Sequence, residues 1–391
     1  MQKRHLTLAV VAALTAPAAA FAQTSNVEIY GRASLGLDNY SATGSTAGAS
    51  ADYKARNRIF DTASRIGFRG TENLGSGLKA LFQIESGVNL NSGNSNGLNG
   101  LANGSTGLAA RDSFVGIEGA MGRVTLGRQS IFYSNGAVAQ TSSNYVNTEI
   151  PWTKGNVFGR VAGPAARTSN VIAYSTPTLS GFNGTLSYSP STSETAQAGA
   201  KSDASITGVT MRYTGLLNLQ WDYAVNQAAS GGVNQLKITG NKIGIGWPYA
   251  KDAQISLIWT NNKNNDMAAT PGFSGLHDNV SQNAWTLNWE HMFGNIQALA
   301  MLGKMNAASG CTGTALIGGA NGCVGTDATG YMLGARYVLS KRSSTYLTYN
   351  KVTNGANQVS DYTNDGYTAA AATLSAGTDP RVIAVGLMHN F

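Results

Sequence analysis

Apolar and polar residues alternate with a period of two along most of this chain, and that period admits strands and little else. Residues 64–85 show it most plainly. Ile66 and Phe68 share one face of a strand, while Arg65 and Arg69 share the other. After a turn over 71–77, Leu78, Ala80, Phe82 and Ile84 take one face, and Lys79, Leu81, Gln83 and Glu85 the opposite one. Side chains alternate across a strand, so each strand carries one apolar and one largely charged face. A soluble sandwich would show the same alternation with its charged face in water. Two features argue for the reverse sense, with lipid outside and water within. The pattern runs along almost the whole chain without enough apolar residues to fill a core of that size. The stretch 385–391 also places Val385, Leu387, His389 and Phe391 on one face, a greasy tip that suits a membrane interface.

Charged residues make up only 12% of the chain, about half the usual share of roughly 25%. Gly is abundant at 48, Tyr reaches 16 and Pro is scarce at 8. Together these favour many short strands over helices. Residues 1–22 read as a secretory signal: Lys3 and Arg4 form a basic start, 6–14 an apolar middle, and Ala20-Phe21-Ala22 a cleavage site. The apolar part is too short to span a bilayer as a helix, so residues 23–391 are expected to form the mature domain. The net charge of +7 is scattered one or two residues at a time, which argues against a nucleic-acid partner. Cys311 and Cys323 lie in a Gly-rich segment of an exported chain, where a disulfide across a surface loop is expected.

Taken in order, alternation predicts strands near 26–38, 58–70, 78–85, 111–118, 123–129, 167–175, 182–188, 205–213, 216–226, 234–246, 253–261, 281–291, 295–305, 329–339, 343–352 and 379–391. That makes 16, an even number, joined alternately by tight turns and long polar loops. Outer-membrane barrels have this rhythm, with short periplasmic turns and long outside loops. Backbone groups in lipid must all be paired, so the sheet has to close. Trp221, Trp259, Trp285 and Trp289 all take the apolar parity, as interfacial girdles would. Residues 130–166 break the rhythm. This segment is far beyond the usual connection length, and it carries Tyr133, Tyr145, Trp152 and Phe158, so it is expected to fold back onto something.

Five ordered segments closely resemble motifs of the Gram-negative general porins of the neisserial and β-proteobacterial type. They are 64–85; 114–119 with 122–129; 174–182; 334–342; and 386–391. The resemblance implies a 16-stranded antiparallel transmembrane β-barrel, assembled as a homotrimer, with a water-filled pore in each subunit. It also implies a constriction, made where the long loop after strand 5, here 130–166, folds into the barrel and faces wall arginines. Arg69 and Arg128 sit in matching motifs, and Arg32 and Arg65 take pore-facing parity. Arg128 shares parity with Val124 and Leu126, which face lipid, so its place at the pore requires the strand pattern to break where the loop departs. Glu149 is the one acid of that loop, against Lys154 and Arg160. Lys79, Glu85 and Glu118 are expected to line the pore, with Glu28 and Asp112 on the same face.

A ring of fixed charge in a narrow aqueous pore favours counter-ions, and this balance leans to anions. The function expected is passive diffusion of small hydrophilic solutes and ions across the outer membrane of a Gram-negative bacterium. The alternative is a surface adhesin or receptor whose long loops bind a partner. Enzyme readings fare badly. The four His are scattered, no Ser/His/Asp set is placed together, and no metal spacing or cofactor motif holds up. Gly75-Ser76-Gly77-Leu78-Lys79-Ala80 fits a dinucleotide fingerprint, yet it lies in a strand turn with no helix after it.

Overall fold

The computed structural model describes residues 26–91, 108–131, 161, 163–164, 167–190, 205–230, 234–265, 280–311, 322–361 and 374–391. Residues 1–22 and Glu149 lie outside them, as does most of 130–166. The described residues form β1 (Asn26–Thr43), β2 (Tyr53–Asp61), β3 (Arg65–Gly75), β4 (Leu78–Gly87), β5 (Ser113–Gly119), β6 (Gly122–Ser130), β7 (Arg167–Ser175) and β8 (Phe182–Ser189). They continue with β9 (Ser205–Thr214), β10 (Asn218–Ser230), β11 (Asn234–Ala250), β12 (Ala253–Asn265), β13 (Val280–Phe293), β14 (Ile296–Met305), β15 (Ala328–Val338), β16 (Ser343–Asn354) and β17 (Asp379–Asn390).

All these strands belong to one sheet, and apart from β2 and β3 each pairs antiparallel with its neighbours in sequence. The sheet closes where β1 meets β17, in a register running from Arg32 opposite Asn390 to Thr43 opposite Asp379. Gly31 and Phe391 then exchange both backbone hydrogen bonds, at 3.0 and 3.1 Å. On its other side β1 pairs with β2 through its upper half and with β3 through its lower half. β2 and β3 are therefore two halves of one barrel strand, and the barrel has 16. The step between them is built by Asp61. Its carboxylate accepts hydrogen bonds from the backbone N–H of Ser64 at 2.9 Å and of Leu90 at 3.0 Å. Ala63 takes a left-handed φ of 62° at the step.

The two faces of the wall differ as the alternation requires. Residues pointing outward are apolar and exposed: Ile29, Val115, Leu302, Leu347 and Leu387 are all more than half accessible. Inward-pointing residues of β12 and β13 are mostly polar and covered, among them Ser256, Thr260, Asn262, Gln282, Thr286 and Asn288. A soluble protein buries the opposite set, so the exterior is built for lipid. At the tight-turn end, the outer surface carries an aromatic belt. His291 stacks on Phe293 at 4.3 Å between centroids and shares a 2.8 Å hydrogen bond with the Tyr249 hydroxyl, to which the Trp289 indole N–H donates at 2.9 Å.

The wall is uneven in height. β5 to β8 contain 7 to 9 residues each, whereas β10 to β13 contain 13 to 17. The segments that follow β4 and β6 therefore leave the wall well below the rim of the taller side.

Leu347 lies four residues beyond the start of β16 and faces outward, near the middle of the lipid band. Leu347→Lys is expected to cost about 2–4 kcal/mol in denaturant titrations of the vesicle-inserted protein. Gln83→Lys, on the inner face of β4, is expected to cost less than about 1 kcal/mol. Equal losses from the two would contradict the assigned sides.

Candidate functional site

The low side of the wall gathers the inward-facing charges. Register places Glu28, Tyr30 and Arg32 of β1 opposite Arg69, Gly67 and Arg65 of β3. Across β4, Glu85 stands opposite Gly67 and Gln83 opposite Arg69. Two carboxylates, Glu85 and Asp112, organise the cluster. Glu85 accepts from the Tyr30 hydroxyl at 3.0 Å, pairs with Arg65 at 3.8 Å, and bonds Arg111 Nε at close range. Asp112 pairs with Arg167 Nε at 2.5 Å and accepts from Ser130 Oγ at 2.9 Å. Arg65 lies within electrostatic reach of both Arg111 and Arg167. Arg32 stands directly opposite Arg65 and donates to Asn390 Oδ1 at 3.2 Å.

Arg128 joins this group because the strand pattern breaks beside it. Gly127 has a φ of 152°, and the register between β6 and β7 shifts between Gly127 and Gln129. The Arg128 guanidinium donates to the Ala110 carbonyl at 2.9 Å and to Ser169 Oγ at 3.0 Å, within the field of Asp112 and Arg167. Among the described residues, five arginines, Arg32, Arg65, Arg111, Arg128 and Arg167, thus gather around two carboxylates, Glu85 and Asp112.

Arg69 stands apart from them. It forms a two-point ion pair with Glu28 at 2.8 and 2.9 Å, and both side chains are about half exposed. It lies four residues from Arg65, toward the tight-turn end, where its charge is matched. Lys79 and Glu118 face each other across β4 and β5 near the same end. Arg58 and Asp38 make a second matched pair higher on the wall, at 2.9 and 2.6 Å. Across the barrel, Asp222 accepts from Thr210 Oγ1 at 2.7 Å and stands opposite Lys242 on β11.

Sequence reasoning did not pick out Arg111 and Arg167. Both open predicted strands, and alternation with Asp112 would turn Arg111 outward; in the structure Arg111 lies just before β5, where strand parity does not apply, and Arg167 opens β7. Their chain positions, beside Asp112 and at the end of the long segment, were the available signal.

The long segment touches the inner wall at both of its described ends. Ile131 packs against Val171, Ala173, Ile206 and Ala224 on β7, β9 and β10. Gly208 makes room for it, since a β-carbon there would collide with the Ile131 side chain. Val161 packs with Val280 and Ala308, and Cys311 and Cys323 lie against that cluster. Val161 N–H donates to Gln282 Oε1 at 3.4 Å, and Asn262 Nδ2 donates to the Val161 carbonyl at 3.3 Å. The expected disulfide joins Cys311 to Cys323.

Gln282, fully covered, connects the disulfide loop to Val161. Its amide donates to the carbonyls of Asn306 at 3.0 Å and Thr326 at 2.8 Å. Thr326 Oγ1 in turn accepts from Ala308 N–H at 2.9 Å and donates to the Cys323 carbonyl at 2.6 Å.

Three comparisons bear on this arrangement. A family model described as Gram-negative porin matches residues 7–357. The chain is 25% identical to the major outer membrane protein P.IB of Neisseria lactamica, over 97% of this chain and 98% of that protein. It is 32% identical to the P.IB of Neisseria gonorrhoeae over 46% of this chain and 47% of that one. Among solved structures it is similar in fold to an anion-selective porin from Comamonas acidovorans. The TM-score there is 0.68 at 21% identity, covering 94% of this chain and all of that one. It also resembles Salmonella typhi OmpF, with a TM-score of 0.61 at 16% identity, covering 93% and 97%.

Gln282→Leu would leave Val161 N–H and the Asn306 carbonyl without their partner. A cost of roughly 1–3 kcal/mol is expected in denaturant titrations, together with larger current fluctuations in single-channel records. A variant as stable and as quiet as the parent would show that Gln282 tethers nothing.

Proposed function

Because the chain belongs to the Gram-negative porin family, we propose that its channel admits small hydrophilic solutes across the outer membrane and prefers anions. The observation that carries the preference is the charge balance on the inner wall: among the described residues, five arginines gather around two carboxylates. Fixed charge inside low-dielectric walls concentrates counter-ions. The guanidinium groups are held by neighbouring side chains and carbonyls, so an anion meets a preset array of donors and keeps part of its hydration. Transport of this kind needs no energy source; the ion gradient drives it.

The long segment 130–166 serves as the constriction in this reading. Its support is that Ile131 and Val161 both rest on lumen-facing residues, separated along the wall from β7–β10 to β12–β13. Arg32, Arg65 and Arg128 are then the wall charges that matter most, with Arg111 and Arg167 beside them. Arg69 and Lys79, each facing an acid near the tight-turn end, contribute less. Glu149 would face the arginines from the segment itself.

Three copies associate through the outer surface of β4 to β6, where Phe82, Ile84, Val115 and Leu126 line an apolar cleft. Residues 1–22 direct export and are removed.

The test is the reversal potential of the protein in planar bilayers under a salt gradient. The parent is expected to prefer chloride over potassium. Removing one unit charge about 8 Å from the ion's path, in water of ε ~80, is worth about 0.5 kcal/mol, or about twofold in relative permeability. Arg32→Gln and Arg128→Gln should each lower the preference by about that factor. Glu85→Gln should raise it, and Arg69→Gln should change it least. Cation preference in the parent would overturn the charge assignment. Absence of open steps would favour the adhesin reading.

A further inference from the structure

The outer surface carries a second set of cations, which the channel does not use. On β12, β14, β16 and β17 the outward face carries apolar residues along its middle and a cation toward its long-loop end. β14 reads Ile296, Ala298, Ala300, Leu302, Lys304; β17, read backward, gives Leu387, Val385, Ile383, Arg381. Lys304 lies eight residues beyond Ile296, Lys351 eight beyond Ser343, Lys263 ten beyond Ala253, and Arg381 nine before Asn390. At about 3.3 Å per residue and a tilt of about 40°, these spacings rise roughly 20–25 Å. That is the height of the apolar band, about 25 Å, so all four cations stand at its edge on the long-loop side. The tight-turn edge of this side of the barrel carries the aromatic residues His291 and Phe293 of β13, Tyr337 of β15 and the terminal Phe391.

Two of these cations are placed against each other. Lys351 stands directly opposite Arg381 in the β16–β17 register, with Tyr331 on its other side. Like charges in that position repel. Among the described residues no carboxylate pairs with Lys304, Lys351 or Arg381. The nearby outward acid, Asp379, is engaged by the Asn354 backbone N–H at 2.9 Å. An anion bridging Lys351 and Arg381 would turn the repulsion into attraction, and at this height the anion available is a lipid headgroup.

We propose that Lys351 and Arg381, flanked by Lys304 and Lys263, form a binding site for the phosphate groups of a phosphorylated glycolipid in the outer leaflet. Acyl chains of that lipid would lie on Leu302, Leu347, Ile383 and Val385 beneath the cations, and Tyr331 and Tyr349, 5.9 Å apart, would border the headgroup. The site rests on the reading of the chain as an outer-membrane channel, but conduction does not depend on it.

The test uses the folded full-length protein in detergent, titrated with bisphosphorylated lipid A, with the same lipid stripped of both phosphates, and with inorganic phosphate alone. Binding is read from tryptophan fluorescence and from the unfolding midpoint. The parent should bind the bisphosphorylated lipid and gain stability from it. The stripped lipid and inorganic phosphate should give little shift. The double variant Lys351→Gln, Arg381→Gln should lose roughly 30-fold in affinity, as the removal of two near-surface cationic contacts implies, with its single-channel conductance unchanged. Lys351→Arg, Arg381→Lys should keep the binding. Equal binding of both lipids by the parent would overturn the site even if the double variant failed to fold. So would equal affinity in parent and double variant, or an equal response to phosphate alone. Loss of conductance with lipid binding intact would instead count against the channel reading.

Discussion

A sheet in lipid cannot have an edge, because an unpaired backbone N–H or C=O there costs several kcal/mol and has no water to turn to. Closure of β1 on β17 is therefore the condition on which the other features rest. Twelve residue pairs, from Arg32–Asn390 to Thr43–Asp379, make the seam, and Gly31 and Phe391 complete it with a reciprocal pair of bonds. Once the ring is closed, the period-two alternation assigns every side chain to lipid or to lumen. A slip of one residue at the seam would put Arg32 outside and Leu35 within. The β2–β3 step is compatible with closure because Asp61 and Ser64 satisfy backbone groups around it.

Inside the ring, electrostatics is a matter of how many charges are matched. Arg69–Glu28, Arg58–Asp38 and the Lys79–Glu118 juxtaposition are balanced locally and give little net field. Around Glu85 and Asp112 the count among the described residues is unequal, since each carboxylate serves more than one guanidinium. Glu85 is nearly covered, and its contacts with Tyr30, Arg65 and Arg111 hold three side chains in a fixed layout. The uneven wall height sets where this happens. β5 to β7 end early, so Arg111, Asp112, Arg128 and Arg167 lie within the barrel and away from its mouth. On the facing side of the wall, the disulfide loop is tied to the long segment through Thr326, Gln282 and Val161.

Much of this was legible in the residues. Alternation gave sixteen barrel strands, and the inward parity of Arg32, Arg65, Glu85 and Lys79 came with it. Strand ends were less legible: β1 runs on to Thr43 and β2 begins at Tyr53, because pairing with a neighbour extends a strand beyond its patterned part. The step at Ala63 left no trace in the pattern, as Asp61-Thr62-Ala63-Ser64 reads like any polar stretch. Arg128 was ambiguous for a physical reason. A bulge at Gly127 uncouples parity from direction, and only a register could show it. Whether an arginine is matched is also a cross-strand property. Glu28 and Arg69 lie 41 positions apart in sequence, and nothing local announces their pair.

Function depends on water lying inside the cylinder and lipid outside. Single cysteines along β4 test this most directly, at Lys79, Leu81 and Gln83 on one face and Ala80, Phe82 and Ile84 on the other. A membrane-impermeant anionic thiol reagent is applied to the protein in vesicles. Reaction is predicted at 79, 81 and 83, with current block on modification, and none at 80, 82 and 84. Reaction at both sets alike, or at the second set alone, would contradict a wet lumen lined by the inward residues.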